Sequence, residues 1–560
     1  MTRRTSFRVP AVLAAVAALL AAGGGTASAA GPAVSSTNPY DTSGCRALDT
    51  QPGSLSYRNS EVEPMVAVDP TNPSHLVGAW QQDRWSNGGA HGLVAGYSTD
   101  GGTTWNLSPQ PFSACYQASG YGPSLNYQRA SDPWVSIGPG TPGDPASGST
   151  VYSDSISFDQ TPFGADTTAA DNAVGAAVSY DGGATWSNVQ TVIADPCVSP
   201  QGSPPPGYTC NSSKAYVFND KNSITADPTI PGVAYAVWDR LVAPPATGNG
   251  FVHERAYFGQ AYMSKTTDFG RTWSTPQTLT SLASEDQTIA NQVVVNHQTG
   301  QLYDFFTLIQ NASNSGGHRG LSVAYITSTD HGTTWSKPQV VAALETAGVS
   351  DANNLNPHTN SPPAPSRTGD IIPEPAINPS TGQLYVVWQD SRFNGFTNDE
   401  AVISTSTDGG GTWSAPALVN DHTGQPAYNA SVSVSPTGTV GVTYLQWATT
   451  VSGNEPTTVD IKHSLTPGSS TTAPTFDSAT VVDGPFNNLA APDAGGYFLG
   501  DYAGLVYNAT GFVPFYVKTN CADGSSTTQP SCRAITSVLS PTDLTPTDNN
   551  STDVYAAPGF

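Results

Sequence analysis

Apolar and polar positions alternate with a period of two along most of the chain, in short runs ended by Gly, Pro, Asn and Asp. Such alternation makes half-buried strands, because successive side chains of an extended backbone face opposite ways. In "EPMVAVDPTNPSHLVGAW" (63–80) it predicts one strand, an Asp-Pro turn and a second strand. "GLVAGYS" (92–98) predicts a third, and Trp105 opens a fourth. "DKNSITADPTIPGVAYAVW" (220–238) and "EPAINPSTGQLYVVW" (374–388) repeat the opening pair. No segment carries a sustained helical period, so the chain is expected to be all-β.

Between the third and fourth strands one turn recurs: "STDGGTTW" (98–105), "SYDGGATW" (179–186), "TTDFGRTW" (266–273), "STDHGTTW" (328–335) and "STDGGGTW" (406–413). Its Asp and Ser/Thr side chains can bond turn backbone, its Gly accepts a positive φ, and its Trp can pack between neighbouring sheets. Two further units lack the turn, one at 428–447 and one beginning at 497. Four short strands per repeat predict a single β-propeller of six or seven four-stranded blades, with seven the better count. The expected organisation is a secretory signal at 1–30, an N-terminal segment at 31–60 that partly closes the ring, and the propeller at 61–560.

The leader carries Arg3, Arg4 and Arg8 before an apolar run that ends at Ala27-Ser28-Ala29. This is the pattern of an export signal, and it predicts a secreted, extracellular product. Cys45, Cys115, Cys197, Cys210, Cys521 and Cys532 suit structural disulfides in such a compartment. Short loop closure favours Cys197–Cys210 and Cys521–Cys532, leaving Cys45–Cys115. The formal net charge of −23 argues against nucleic acid and anionic membranes as partners. A monomer without a cofactor is expected, with a structural calcium ion on the axis left open.

If the recurrent turns lie at one end of each repeat, the loops between second and third strands lie at the other. There a chain poor in arginine concentrates Asp83, Arg84 and His91; Asp239, Arg240, His253, Glu254 and Arg255; His318 and Arg319; and Asp390, Arg392, Asp399 and Glu400. The starts of the lead strands reach the same end with Glu63, Asp132, Asp220, Lys221, Asp286, Glu374, Asn429, Asp501 and Tyr502. Carboxylates crowded in a buried place cannot all ionise cheaply, so some should have raised pKa values suited to proton transfer.

The turn S-x-D-x-G-x-T-W resembles the Asp box of the sialidase-like, BNR-repeat β-propellers. The resemblance implies a carbohydrate-active enzyme, an exo-acting sialidase-like glycosidase that removes a terminal, anionic sugar from a glycan. It also implies an arginine clamp for the sugar carboxylate, drawn from Arg84, Arg240, Arg255, Arg319 and Arg392. Glu63, Asp83, Glu374, Asp501, Tyr502 and His91 are the catalytic candidates. The family's Arg-Ile-Pro is absent, and Glu63 in "VEPMV" stands in its place. Two other readings stay open. A polysaccharide lyase would use His91, His253 or His318 as base opposite a neutralised uronate, and a glycan-binding module would use Trp80, Trp85, Trp238 and Trp388 as sugar platforms.

Overall fold

The computed structural model describes residues 31, 33–49, 56–140, 148–159, 171–196, 216–243, 258–282, 286–310, 320–354, 362–448, 454–520 and 552–560. The leader at 1–30 lies outside the described residues, as do His253, Glu254, Arg255, His318, Arg319, Cys197, Cys210, Cys521 and Cys532.

The chain is mostly β-strand, as the alternation predicts, but the expected single propeller of six or seven four-stranded blades must be corrected. The strands pair into five sheets of eleven, eight, three, four and five strands, and none curls into a closed circular sheet. The physical reason is backbone pairing between repeats. Ala90 pairs with Ala130 and Gly259 with Gln287, and each single bridge joins the sheet of one repeat to that of the next. At the chain ends, Thr552–Ala556 runs antiparallel to Phe512–Thr519 and meets the strand Ser56–Val68 in parallel through Ser60 and Thr552. That first strand crosses the boundary expected at residue 60.

Each repeat opens with a lead strand: Ser56–Val68, Arg129–Gly138, Tyr216–Ala226, Gln287–Val295, Glu374–Ile377, Ala427–Val434 and Gly504–Tyr507. Consecutive lead strands pack side by side, and Gly504–Tyr507 packs against Ser56–Val68. Their outward partners are strongly apolar, and Trp80, Trp238 and Trp388 sit wholly inside the core. Trp85 is buried too, so all four tryptophans are packing residues rather than sugar platforms.

The five recurrent turns share one hydrogen-bond pattern. In the first, the Thr104 hydroxyl donates to Asp100 Oδ2 at 2.7 Å, the Thr104 amide donates to Oδ1 at 2.9 Å, and Gly102 N–H donates to Ser98 Oγ at 2.9 Å. The corresponding Thr–Asp bonds at Asp181, Asp268, Asp330 and Asp408 are 2.6, 2.7, 2.6 and 2.7 Å. The glycine two residues after each aspartate stands at positive φ, for example 94° at Gly102 and 90° at Gly410, a conformation that costs other residues about 1–3 kcal/mol. Trp105 packs on Phe515, and Trp413 on Phe305 and Tyr325, so each turn braces a neighbouring repeat. These aspartates are spent on their own turns.

Cys45 and Cys115 form a disulfide that ties the N-terminal segment to the first repeat. Tyr40 beside it donates its hydroxyl to the Leu93 carbonyl at 2.7 Å. Val34, Tyr40 and Cys45 are thereby built into the core that also holds Phe515 and Val554.

Candidate active site

A bulge interrupts most of the lead strands at the same place, and the residue there adopts left-handed backbone. Glu63 has φ 56°, Asp132 51°, Lys221 47°, Ala290 64° and Asn429 49°. The register slips at these points, between Val62 and Met65, Ser131 and Trp134, Ile289 and Gln292, and Tyr428 and Ser431. A bulge adds a residue to one strand and re-aims its side chain. Non-glycine residues in this region are strained by about 1–3 kcal/mol each, and such strain concentrates at functional sites. Asp286, expected at this position in its repeat, lies before the strand begins, and Ala290 takes the place instead.

Three bulge side chains and Asp501 converge. Lys221 Nζ lies 2.6 Å from Asp501 Oδ2, 3.3 Å from Asp132 Oδ2 and 3.7 Å from Glu63 Oε1. Arg367 grips Asp501 with two bonds, Nε to Oδ1 at 3.1 Å and Nη2 to Oδ2 at 2.7 Å. Arg84 and Arg367 lie 4.9 and 4.5 Å from the centroid of the Phe498 ring. The Arg84 Nη1 donates to Gln81 at 2.7 Å, while its buried Nε has no partner. Gln81 in turn donates to Glu63 and, at 3.1 Å, to Ser131. Glu63 is 1 % exposed and the Arg367 side chain 33 %, so the cluster opens to solvent through its arginine.

The electrostatics separate the carboxyls. Burial, reinforced by the negative charge of Asp132, pushes Glu63 up to about 8, so it keeps its proton at neutral pH. Asp501 is equally enclosed, and burial pulls it the same way, but Arg367 and Lys221 outweigh that and hold it well below the usual carboxylate range. Burial, followed by the like charge of Arg367, lowers Arg84 to about 10, which leaves it cationic. Tyr502 is a locked phenol: its hydroxyl donates to the Pro133 carbonyl at 3.2 Å, its ring packs on Trp134, and burial and nearby carboxylates raise its pKa.

The remaining candidates lie elsewhere. Glu374 is buried and raised by that burial to about 8, with a 3.3 Å bond from Gln292. Asp83 and His91 belong to a structural knot rather than to the cluster. Asp83 accepts from the Asn59 amide at 2.7 Å and from Asn38 at 2.6 Å. The His91 ring is clamped between Asp83, at 3.0 Å, and Asp49. Arg240 is taken up by Asp195 and lies over Tyr262. Arg392 is taken up by Asp390 and the Ala343 carbonyl. Of the three expected clamp arginines among the described residues, the structure brings Arg84 to the cluster and not Arg240 or Arg392, and Arg367 stands beside it.

Arg367 escaped the sequence reading because it lies in "NSPPAPSRTGD", which looks like a loop. It belongs instead to the strand Ala364–Arg367, paired in parallel with Tyr497–Phe498. Asp132 and Lys221 were noted only as strand starts. The recurrence of an acid before proline, Glu63-Pro64, Asp132-Pro133 and Glu374-Pro375, was the available signal.

The His91 knot carries a pH prediction. Burial lowers the imidazole pKa, but the hydrogen bonds to Asp49 and Asp83 outweigh it and raise His91 to about 9. A raised histidine contributes stability that is fully present below its ordinary value near 6.5 and is lost as pH rises through about 9. His91→Gln should therefore be destabilised relative to wild type at pH 6, and the gap in urea midpoints should close by pH 10. A constant gap would contradict the ion-paired ring.

Among the described residues no group of three His, Cys, Asp or Glu side chains gathers to hold a metal, and no helix is long and apolar enough to cross a membrane. Comparison with curated proteins gives no match. Among solved structures, a Penicillium chrysogenum alpha-L-arabinanase complexed with arabinobiose is 12% identical, covering 70% of this chain and 92% of its own at a TM-score of 0.41. A Hadza microbial sialidase is 18% identical over 69% of this chain and 64% of its own, at 0.39. The intramolecular trans-sialidase from Ruminococcus gnavus, in complex with oseltamivir carboxylate, is 13% identical over 90% and 96%, at 0.37. Alignments this loose equate no residues. Residues 253–372, which hold the third and fourth copies of the turn, match the model of the BNR repeat-like domain. That stretch and the five Asp-box turns make the chain similar to the sialidase-like BNR-repeat superfamily.

Proposed function

We propose that the chain is an exported glycoside hydrolase and that the Lys221 cluster is its catalytic centre. The observation that carries this reading is the split between two carboxyls around one ammonium: Glu63 protonated at neutral pH, Asp501 ionised. Glycosidic bond cleavage needs that pair, an acid for the leaving oxygen and a negative charge to face the oxocarbenium-like transition state. In this reading Glu63 gives its proton to the glycosidic oxygen as that bond breaks, Asp501 stabilises the positive charge that develops on the sugar ring, and a water then bonds the anomeric carbon and returns a proton to the Glu63 carboxylate. Arg367 and Lys221 hold Asp501 in its charged form.

The finer reading is an exo-acting enzyme for an anionic terminal sugar. Arg84, whose Nε has no partner, is the guanidinium that would receive a sugar carboxylate beside Phe498, since Asp501 and the Ala494 carbonyl already engage Arg367, and a planar guanidinium suits that partner. Tyr502 does not serve as a nucleophile in this mechanism, because its phenol stays protonated and bonded to Pro133. His91 cannot act as a lyase base while Asp49 and Asp83 hold it.

The test is incubation of purified protein with a sialylated glycoprotein, an arabinan and a rhamnose–glucuronate-capped gum, followed for free sugar and for unsaturated uronate absorbance. Sugar release without new absorbance is expected. New absorbance would replace hydrolysis by elimination, and binding without any product would reduce the cluster to a recognition site.

A further inference from the structure

The residue across from a bulge has a structural task that recurs between repeats. Asp239 pairs with Asp220, just before the bulge at Lys221, and its carboxyl accepts the amide of Ala290, the bulge residue of the next repeat, at 2.7 Å. Gln389 does the same for the Asn429 amide at 2.8 Å. Gln81 stands in the matching place, paired with Val62 just before the bulge at Glu63, but its bonds run elsewhere. Its side-chain oxygen accepts from Arg84 Nη1 at 2.7 Å, and its Nε2 donates to Glu63 Oε2 and, at 3.1 Å, to Ser131 Oγ. Ser131 in turn donates its hydroxyl to Asp132 Oδ1 at 2.5 Å.

The direction of these bonds is set by Arg84. A guanidinium only donates, so the Gln81 oxygen must face Arg84 and its N–H groups must face Glu63 and Ser131. Gln81 is wholly buried, which removes water as a competing partner. We propose that Gln81 is the positioning residue of the site, tying the guanidinium that receives the sugar carboxylate to the carboxyl that protonates the leaving oxygen. This deepens the function proposed above and rests on the roles it gives Arg84 and Glu63. The carbonyl oxygen of a carboxylic acid is its better acceptor, so the Gln81 N–H on Oε2 leaves the acidic proton to Oε1. Lys221 Nζ, 3.7 Å from Oε1, lies beyond hydrogen-bond distance of that oxygen. A sugar carboxylate docked on Arg84 is thereby held one amide away from the acid that acts on its own glycosidic bond.

Gln81→Met keeps the length of the side chain and removes its bonds. Glu63 also feels Asp132, Lys221, Asp501 and Arg84, none of which the exchange removes. An N–H donated to a carboxylate favours its charged form, so loss of the amide should move the Glu63 ionisation upward from about 8 by about one pH unit. The alkaline limb of kcat should move with it, and kcat on the sialylated glycoprotein should fall by about 10–100-fold. A substitution that merely loosened the core would admit water and move that limb down, toward the ordinary carboxylate range. A limb that stays in place or moves down would overturn the proposal. The wild type supplies a second measurement if the variant does not fold. The carbonyl stretch of protonated Glu63, identified as the infrared band missing from Glu63→Gln, should lie at the lowered frequency of a hydrogen-bonded carbonyl. A free-carbonyl frequency would overturn the link to Gln81. The ionisation can also be followed without turnover, in the pH dependence of the urea midpoint. Inactivity of the wild type on all three glycans would therefore defeat the proposed hydrolysis, while the Gln81 link would stand or fall on that shift and on the band.

Discussion

Glu63→Gln should leave the protein folded and lower hydrolysis by about 10²–10⁴-fold, the usual worth of a positioned general acid. Glutamine is the neutral isostere of the protonated side chain, so below pH 8 the exchange adds no charge and keeps an acceptor for Gln81. What it removes is the proton. The wild-type rate should fall as pH rises through about 8, where Glu63 ionises. It should show no matching loss through the ordinary carboxylate range on the acid side, because Asp501 stays charged there. Stability gives an independent readout. A carboxyl raised from 4.5 to about 8 contributes stability that is present below its ordinary value and lost as pH rises through about 8. The variant lacks that loss, so its urea midpoint should gain on the wild type as the solution is made alkaline. Unchanged activity with intact near-UV circular dichroism would remove Glu63 from the mechanism.

Much of this was legible in the sequence, and what was not has physical causes. The five turns could be read because each is a local device in which Ser, Asp, Gly, Thr and Trp satisfy one another within eight residues. Strand positions followed from the period of two. The grouping of strands into sheets did not, because a single backbone bridge such as Ala90 to Ala130 merges two repeats and no side chain encodes it. At the site, Glu63, Arg84, Asp501 and Tyr502 could be named, since polar strand starts and loop arginines gather at one end of the repeats. The fate of Arg240 and Arg392 could not. Asp390 lies two residues from Arg392, but Asp195 comes from another repeat, and only the fold shows that each arginine is already occupied. The partners of His91 could not be read for the same reason: Asp49 and Asp83 hold its ring where the N-terminal segment docks. Arg367 was missed because prolines that signal a loop here flank a short strand.

Lys221→Met should produce the largest loss of stability of any single change in the cluster, about 3–5 kcal/mol at pH 7.5, the range for breaking a buried ion network by removing one partner. The Lys221 side chain is 14 % exposed, and its ammonium touches Glu63, Asp132 and Asp501 together. Methionine keeps most of the volume, so the deficit reports uncompensated charge rather than a cavity. Its pH dependence follows: above about pH 8 Glu63 ionises beside the Lys221 ammonium in the wild type but lacks that partner in the variant, so the difference in unfolding free energy should widen from about pH 6 to about pH 9.5. A cavity or packing defect would persist at both. A second substitution sharpens the test. Asp132→Asn removes one of the negative charges that Lys221 balances, so the double variant should recover part of the stability lost in Lys221→Met, a coupling visible in a double-mutant cycle. Additive losses would mean that Asp132 and Lys221 do not share a network. Activity should not return with stability, because Asp501 would still lack one of the two cations that keep it ionised opposite the proton of Glu63.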